Sequence, residues 1–180
     1  TSDLTALAAA GRIDVVIDAT GNPNVGTLLA LEAIKNGKHI VMLNVEADIT
    51  IGRFLKAEAK SAGVVYTGAA GDEPACTLEL ISFAQSLGMK IVCAGKGKNN
   101  PLKFDAVPAE YEQEARERNM NARMLVEFID GSKTMVEMVA IANCTGLVPD
   151  KPGMHGPAAT REELASVLVP KSHGGLLSKA

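Results

Sequence analysis

RIDVVIDATGNPNVGTLLALEAIKNGKHIVMLNVEADITIGRFLKAEAKSAGVVYT, residues 12–67, is the stretch that decides the fold. Three β-branched runs stand in it: Ile13-Asp14-Val15-Val16-Ile17-Asp18, His39-Ile40-Val41-Met42-Leu43-Asn44 and Val64-Val65-Tyr66-Thr67. They recur about every 25 residues with a helical pattern between them, the cadence of βαβ units. Each is apolar enough to be buried on both faces, as parallel strands require. The first two end in polar residues, and in an open α/β sheet such ends line the ligand crevice. Asp18-Ala19-Thr20-Gly21-Asn22-Pro23 and Asn44-Val45-Glu46 therefore predict a nucleotide or substrate site at the carboxyl ends of neighbouring strands.

Working outward, Asn24 reads as the N-cap of a helix whose apolar face is Val25, Leu28, Leu29, Ala33 and Ile34, with Gly37 ending it. A second helix is expected from about Ile49 to Ala62, closed by Gly63, and an earlier one over Thr1 to Ala10 with Ser2 as cap. Pro74 suits the first turn of a further helix that Gly88 closes, and Met89 to Ala94 reads as a strand. A second lobe starts near Gly71. It is expected to hold a helix over Glu110 to Arg118, a strand over Ala122 to Ile129, a turn at Asp130-Gly131 and a Ser132-capped helix to Thr145. Thr160-Arg161-Glu162-Glu163 is a capping box for a last helix.

The fold class is thus α/β: the C-terminal part of a Rossmann-type doubly wound parallel sheet over 1–70, then an α+β substrate and catalytic lobe over 71–180. No G-x-G-x-x-G turn occurs, so the chain reads as a fragment lacking its first mononucleotide-binding half. The glycine-bearing run from Ser172 to Ala180 reads as a truncation at the other end.

Composition narrows the function classes. A net charge of -3 with scattered basic residues excludes the clustered positive field that non-specific nucleic-acid binding needs. No apolar run approaches the roughly 20 residues that span a bilayer, so no membrane partner is expected. Cys76, Cys93 and Cys144 form no C-x-x-C pair and are odd in number, which argues against a disulfide framework and for reduced small hydrophobes in a cytoplasmic protein. A homo-oligomer is expected.

Several groups of residues could carry chemistry. The loop Thr20, Gly21, Asn22 and Pro23 lets backbone amides approach a ligand beside a positive helix end, although an ordinary βα turn would look alike. Asn44 and Glu46 are placed to bound a nicotinamide ribose. Asp72 and Glu73 offer hard oxygens to a divalent cation, Mg2+ or Mn2+, or else complement a helix dipole. Lys96, Lys98 and Asn99, with Asn100, follow a strand end and would converge on an anionic small-molecule substrate, or lie solvated on the surface. Lys133 and Glu137 are four apart on one helix face, and His155 is a candidate acid-base group. His39 and His173 read as structural and loop residues. No G-x-S-x-G elbow and no H-E-x-x-H motif supports hydrolysis.

The order of Ala19-Thr20-Gly21-Asn22-Pro23, Asn44-Val45-Glu46-Ala47-Asp48, the run Gly71 to Leu80, the run Ala94 to Pro101, the run Asp130 to Met138, and Ala142-Asn143-Cys144-Thr145-Gly146-Leu147 resembles the homoserine-dehydrogenase-like NAD(P)-binding oxidoreductases. It is most similar to their 1-deoxy-D-xylulose 5-phosphate reductoisomerase-like subgroup, in which a small SAF-type domain follows. The resemblance covers almost the whole chain. It implies a Rossmann domain, NADPH as cofactor, and isomerisation with reduction of a phosphorylated ketose for isoprenoid precursors. It also implies a divalent metal, for which Asp72 and Glu73 are the natural ligands. Homoserine dehydrogenases carry a lysine where this chain has Asn44-Val45-Glu46, which places a homoserine-type reaction second. A non-catalytic nucleotide-sensing domain is the third reading.

Overall fold

The computed structural model describes residues 3–178, and these divide into two compact units between Ala75 and Cys76. The first is a three-stranded parallel α/β sheet of Rossmann type. Its order is α1 (Leu4–Ala9), β1 (Val15–Asp18), α2 (Pro23–Lys35), β2 (His39–Met42), α3 (Val45–Ser61) and β3 (Tyr66–Gly68). The strands lie β1-β2-β3, with Val16 beside Ile40 and Ile40 beside Tyr66. Neighbouring strands being parallel, each crossover needs a helix, and α2 and α3 supply them.

Side chains alternate across a strand, so β1 sends Val16 and Asp18 inward. Val16, Ile40 and Met42 pack with Leu29, Ala33, Ile34, Leu55 and Ala59 of the helices. On the opposite face Val15 is 47% and Ile17 64% exposed, which corrects the expectation of two buried faces within this unit. The helices cover one side of the sheet. Lys38, itself buried, donates from Nζ to the carbonyls of Ala10 (2.7 Å) and Ile13 (2.5 Å), tying the end of α1 to the approach of β1. His39 is structural: its Nδ1 accepts the Val65 N–H at 3.0 Å and so joins the segments entering β2 and β3.

In the first unit three helix starts differ from expectation. The Ser2 cap lies outside the described residues, and Asp3 caps α1 by accepting from the amides of Thr5 and Ala6. Asn22, not Asn24, caps α2, because Pro23 has no N–H to lose and takes the first helical position. Asn44 caps α3, which begins at Val45 rather than Ile49. Glu46 and Asp48 then fall in a first turn whose dipole favours acids.

The helix α4 (Glu73–Ser86) leads into the second unit, where α5 (Glu112–Glu117), α6 (Ala122–Ile129), α7 (Ser132–Thr145) and α8 (Leu164–Val167) follow, with 3-10 turns at Pro108–Glu110 and Lys171–His173. This unit is helical rather than α+β; an isolated bridge joins Pro170 and Leu177. The Ala122–Ile129 strand is corrected to a helix because Leu125, Val126 and Ile129 are its buried residues, a helical spacing, and Asn121 caps it through the Arg123 amide. Met89 to Ala94 runs without strand pairing among the described residues, and Met89 and Val92 are exposed. A β-branched run becomes a strand only where a ladder partner takes its amides.

The expected helix over Glu110 to Arg118 shortens to α5 behind its 3-10 turn, and α7 takes Ser132 as its first residue behind the left-handed Gly131 (φ 83°). The capping box closes from one side: Glu163 accepts the Thr160 amide at 2.7 Å, with α8 beginning after it. Two cores hold the unit. Ala106, Ala115, Leu125, Val126 and Ile129 form one, and Ile81, Met138 and Ile141 the other. No helix of the described residues is long and apolar enough to cross a membrane. All three cysteines are free and exposed rather than core hydrophobes.

Candidate functional site

At the carboxyl edge of the sheet, β1 ends on Asp18 and β2 runs into Asn44, two polar side chains with 1% and 0% exposure. A buried polar group is costly unless hydrogen-bonded, and here each is. Asn44 donates from Nδ2 to Asp18 Oδ2 (2.9 Å), Thr20 Oγ1 (3.2 Å) and the Asn22 carbonyl (2.9 Å), while its Oδ1 accepts the Ala47 amide. Asp18 Oδ1 accepts the Thr20 amide at 2.9 Å. Gly26 on α2 faces this cluster, and a Cβ there would overlap Asp18 Oδ2 and Asn44 Nδ2. The helix comes this close to the strand ends because the residue is glycine.

This geometry redistributes the expected cofactor residues. Thr20 and Asn22 are exposed on the loop, Gly21 turns it with φ 61°, and Pro23 opens α2. Asn44 is not exposed to touch a ribose with its side chain. Glu46 sits half-buried in the first turn of α3. The α2 amino end is also closed: Asn22 Oδ1 accepts the amides of Asn24 (3.0 Å) and Val25 (3.2 Å), and the Asn22 carbonyl accepts that of Gly26. Its first amides are therefore engaged by the chain's own cap.

In the second unit, Lys96 ion-pairs with Glu137, which α7 holds at 0% exposure beside Met138 and Ile141. Lys98 donates to the backbone carbonyl of Phe128. Burial holds its ammonium below the usual lysine range, Asp130 working against this and nearby Lys96 with it. Both ammoniums thus meet protein groups, Glu137 and the Phe128 carbonyl. Asn99 is exposed in the same loop, and Lys133 is half-buried one turn before Glu137. Asp72 lies in the turn before α4 and Glu73 is its first residue, the positions that complement a helix dipole.

His155 stands apart from these groups in sequence, and Asp150 is its partner, Nε2 lying 2.6 Å from Oδ2. The same oxygen accepts the Ser178 amide at 2.8 Å. That amide first, and His155 next, hold the Asp150 carboxyl down at about 2. The arrangement pins a loop to the segment around Leu177 and gives His155 a structural partner.

Gly26 and Asp150 are absent from the residues singled out in the sequence, and Asp18 was named there only as the end of the first strand. The alternation of β1 already turns Asp18 inward with Val16, and a glycine inside a helix signals close approach. Asp150 carried no motif signal: His155 lies five residues on in the same proline- and glycine-bearing loop, and the Ser178 amide comes from 28 residues away.

The family described as oxidoreductase DRL, catalytic domain, matches residues 71–180, and that described as homoserine dehydrogenase, NAD binding domain, matches residues 1–67. A comparison with curated proteins finds no match. The NAD-binding match ends at the sheet that carries the Asp18 and Asn44 cluster, and the catalytic match contains Lys96 and Glu137. With 71–180 forming the larger part of its length, the chain belongs to the oxidoreductase DRL family and is an NAD(P)-binding oxidoreductase whose N-terminal region is homoserine dehydrogenase-like.

Proposed function

We propose that this oxidoreductase is a reductoisomerase-type enzyme that uses NADPH to reduce a rearranged phosphorylated ketose, of the 1-deoxy-D-xylulose 5-phosphate kind, for isoprenoid precursor synthesis. The observation that supports it most is the ion pair of half-buried Lys96 with buried Glu137 inside the region matched as an oxidoreductase catalytic domain. Reducing a carbonyl needs a hydride at carbon and a proton at oxygen. NADPH supplies the hydride when bound. Lys96, ion-paired with Glu137, is suited to donate the proton or to stabilise the developing oxyanion. Lys98, Asn99 and Lys133 are assigned to the substrate's anionic group, and Thr20, Gly21, Asn22, Pro23 and Glu46 to the cofactor.

Asp72 and Glu73 fit a hard divalent cation in donor chemistry, both being carboxylates. Such an ion would polarise the carbonyl oxygen of the substrate. Mg2+ or Mn2+ therefore belongs to the same proposal. The test is NADPH oxidation by the purified full-length protein with 1-deoxy-D-xylulose 5-phosphate or aspartate semialdehyde, with and without Mn2+. Metal-dependent turnover of the ketose phosphate alone is expected. Turnover of the semialdehyde would instead favour the homoserine-type reaction, and NADPH binding without turnover of either would favour a nucleotide-sensing role.

A further inference from the structure

The buried cluster at the strand ends has a direction. Asn44 spends its amide on Asp18, on Thr20 Oγ1 and on the Asn22 carbonyl, and Asp18 spends its second oxygen on the Thr20 amide. Three of these four bonds end on the exposed β1 to α2 loop rather than in the core. An apolar pair would fill the same space without needing hydrogen bonds, and capping α3 requires only Asn44 Oδ1. What the remaining polar atoms do is set the path of Thr20 to Asn22, which passes through a left-handed Gly21.

We propose that Asp18 and Asn44 are positioning residues for the nicotinamide nucleotide. They lie beneath the loop without touching the ligand and hold the Thr20 hydroxyl and the Asn22 backbone in the binding geometry. The inference rests on the cofactor reading of this loop and deepens it. The clamp joins two adjacent strand ends to the loop between β1 and α2, so the loop's shape is set before the ligand arrives. Preorganisation of this kind lowers the ordering cost of binding. Asp18→Asn places an amide against the Asn44 amide. Asn44→Asp keeps the α3 cap but turns a carboxylate toward Asp18 and the Asn22 carbonyl. Asn44→Ser keeps a capping hydroxyl and releases the loop without repulsion.

The experiment titrates NADPH and NADH by fluorescence into the full-length protein and each variant, alongside thermal unfolding and steady-state kinetics. For Asn44→Ser and Asp18→Asn, the Kd and the KM for the dinucleotide should rise about tenfold or more, equivalent to ~1.4 kcal/mol. KM for the carbonyl substrate should hardly move. The exchanged pair Asp18→Asn with Asn44→Asp restores donor to acceptor between the two side chains, but leaves an acceptor against the Asn22 carbonyl. Its melting temperature should recover while its dinucleotide affinity stays weak. Recovery of both together, or wild-type affinity in a destabilised Asn44→Ser, would show that the cluster serves only the fold and would overturn the proposal. Absence of any dinucleotide binding by the wild-type protein would overturn the cofactor reading itself.

Discussion

Lys96, on the loop after Ala94, reaches Glu137 on α7 and pairs with a carboxylate that has no exposed surface. A charge at that depth is tolerable only with its partner, since removing one member strands the other in a medium that cannot solvate it. Lys96→Met should therefore cost about 3 kcal/mol of stability, and Glu137→Gln less because an amide still accepts a hydrogen bond. In a double-mutant cycle read by urea unfolding, the pair should show a coupling of at least about 1 kcal/mol. Additive losses would mean that the two side chains act separately.

Gly26→Ala sets two effects against each other. Alanine favours a helix interior over glycine by about 1 kcal/mol, which alone would stabilise α2. The added methyl, however, would overlap Asp18 Oδ2 and Asn44 Nδ2, both buried and hydrogen-bonded. Forcing atoms into a packed site costs about 1 to 3 kcal/mol, so the variant should melt lower than wild type. A raised melting temperature would show that α2 moves freely off the strand ends.

The buried Lys38 ammonium serves the carbonyls of Ala10 and Ile13. Lys38→Met preserves the aliphatic stem but leaves those acceptors without their charged donor, a loss of about 1.5 to 3 kcal/mol. Hydrogen exchange should quicken in α1 before it quickens in β2, because the lysine ties the former to the sheet. Uniform protection across both would argue against that tie.

Asp150 yields a prediction in pH. Its carboxyl sits at about 2 in the folded chain against an ordinary 3.8, through the Ser178 amide and then His155. A depressed acid stabilises the fold above its unfolded value and loses that contribution as pH falls through the folded one. The stability advantage of wild type over Asp150→Asn should therefore be full above pH about 4 and shrink steadily toward pH about 2. Acid titrations of both proteins, followed by circular dichroism, would expose a pH-independent difference if the carboxylate has no such role.

The spacing of the β-branched runs and the glycines that end α2 and α3 was enough to specify a parallel α/β sheet. Strand period, helix period and left-handed stops are local properties of the chain, and β1, β2 and β3 follow from them. The polar strand ends were legible for the same reason, since Thr20 to Pro23 and Asn44 to Glu46 stand where any open sheet would bring a ligand. Residues 89–94 and 122–129 were not legible, because a short apolar run carries no record of whether a neighbour takes its amides. Direction of side chains also lay beyond the sequence: that Asn44 turns inward onto Asp18, and that Lys96 finds Glu137, depends on contacts between residues 26 and 41 positions apart. Such partners are chosen by packing, which excludes water from a polar group and leaves it only the neighbours that the fold provides.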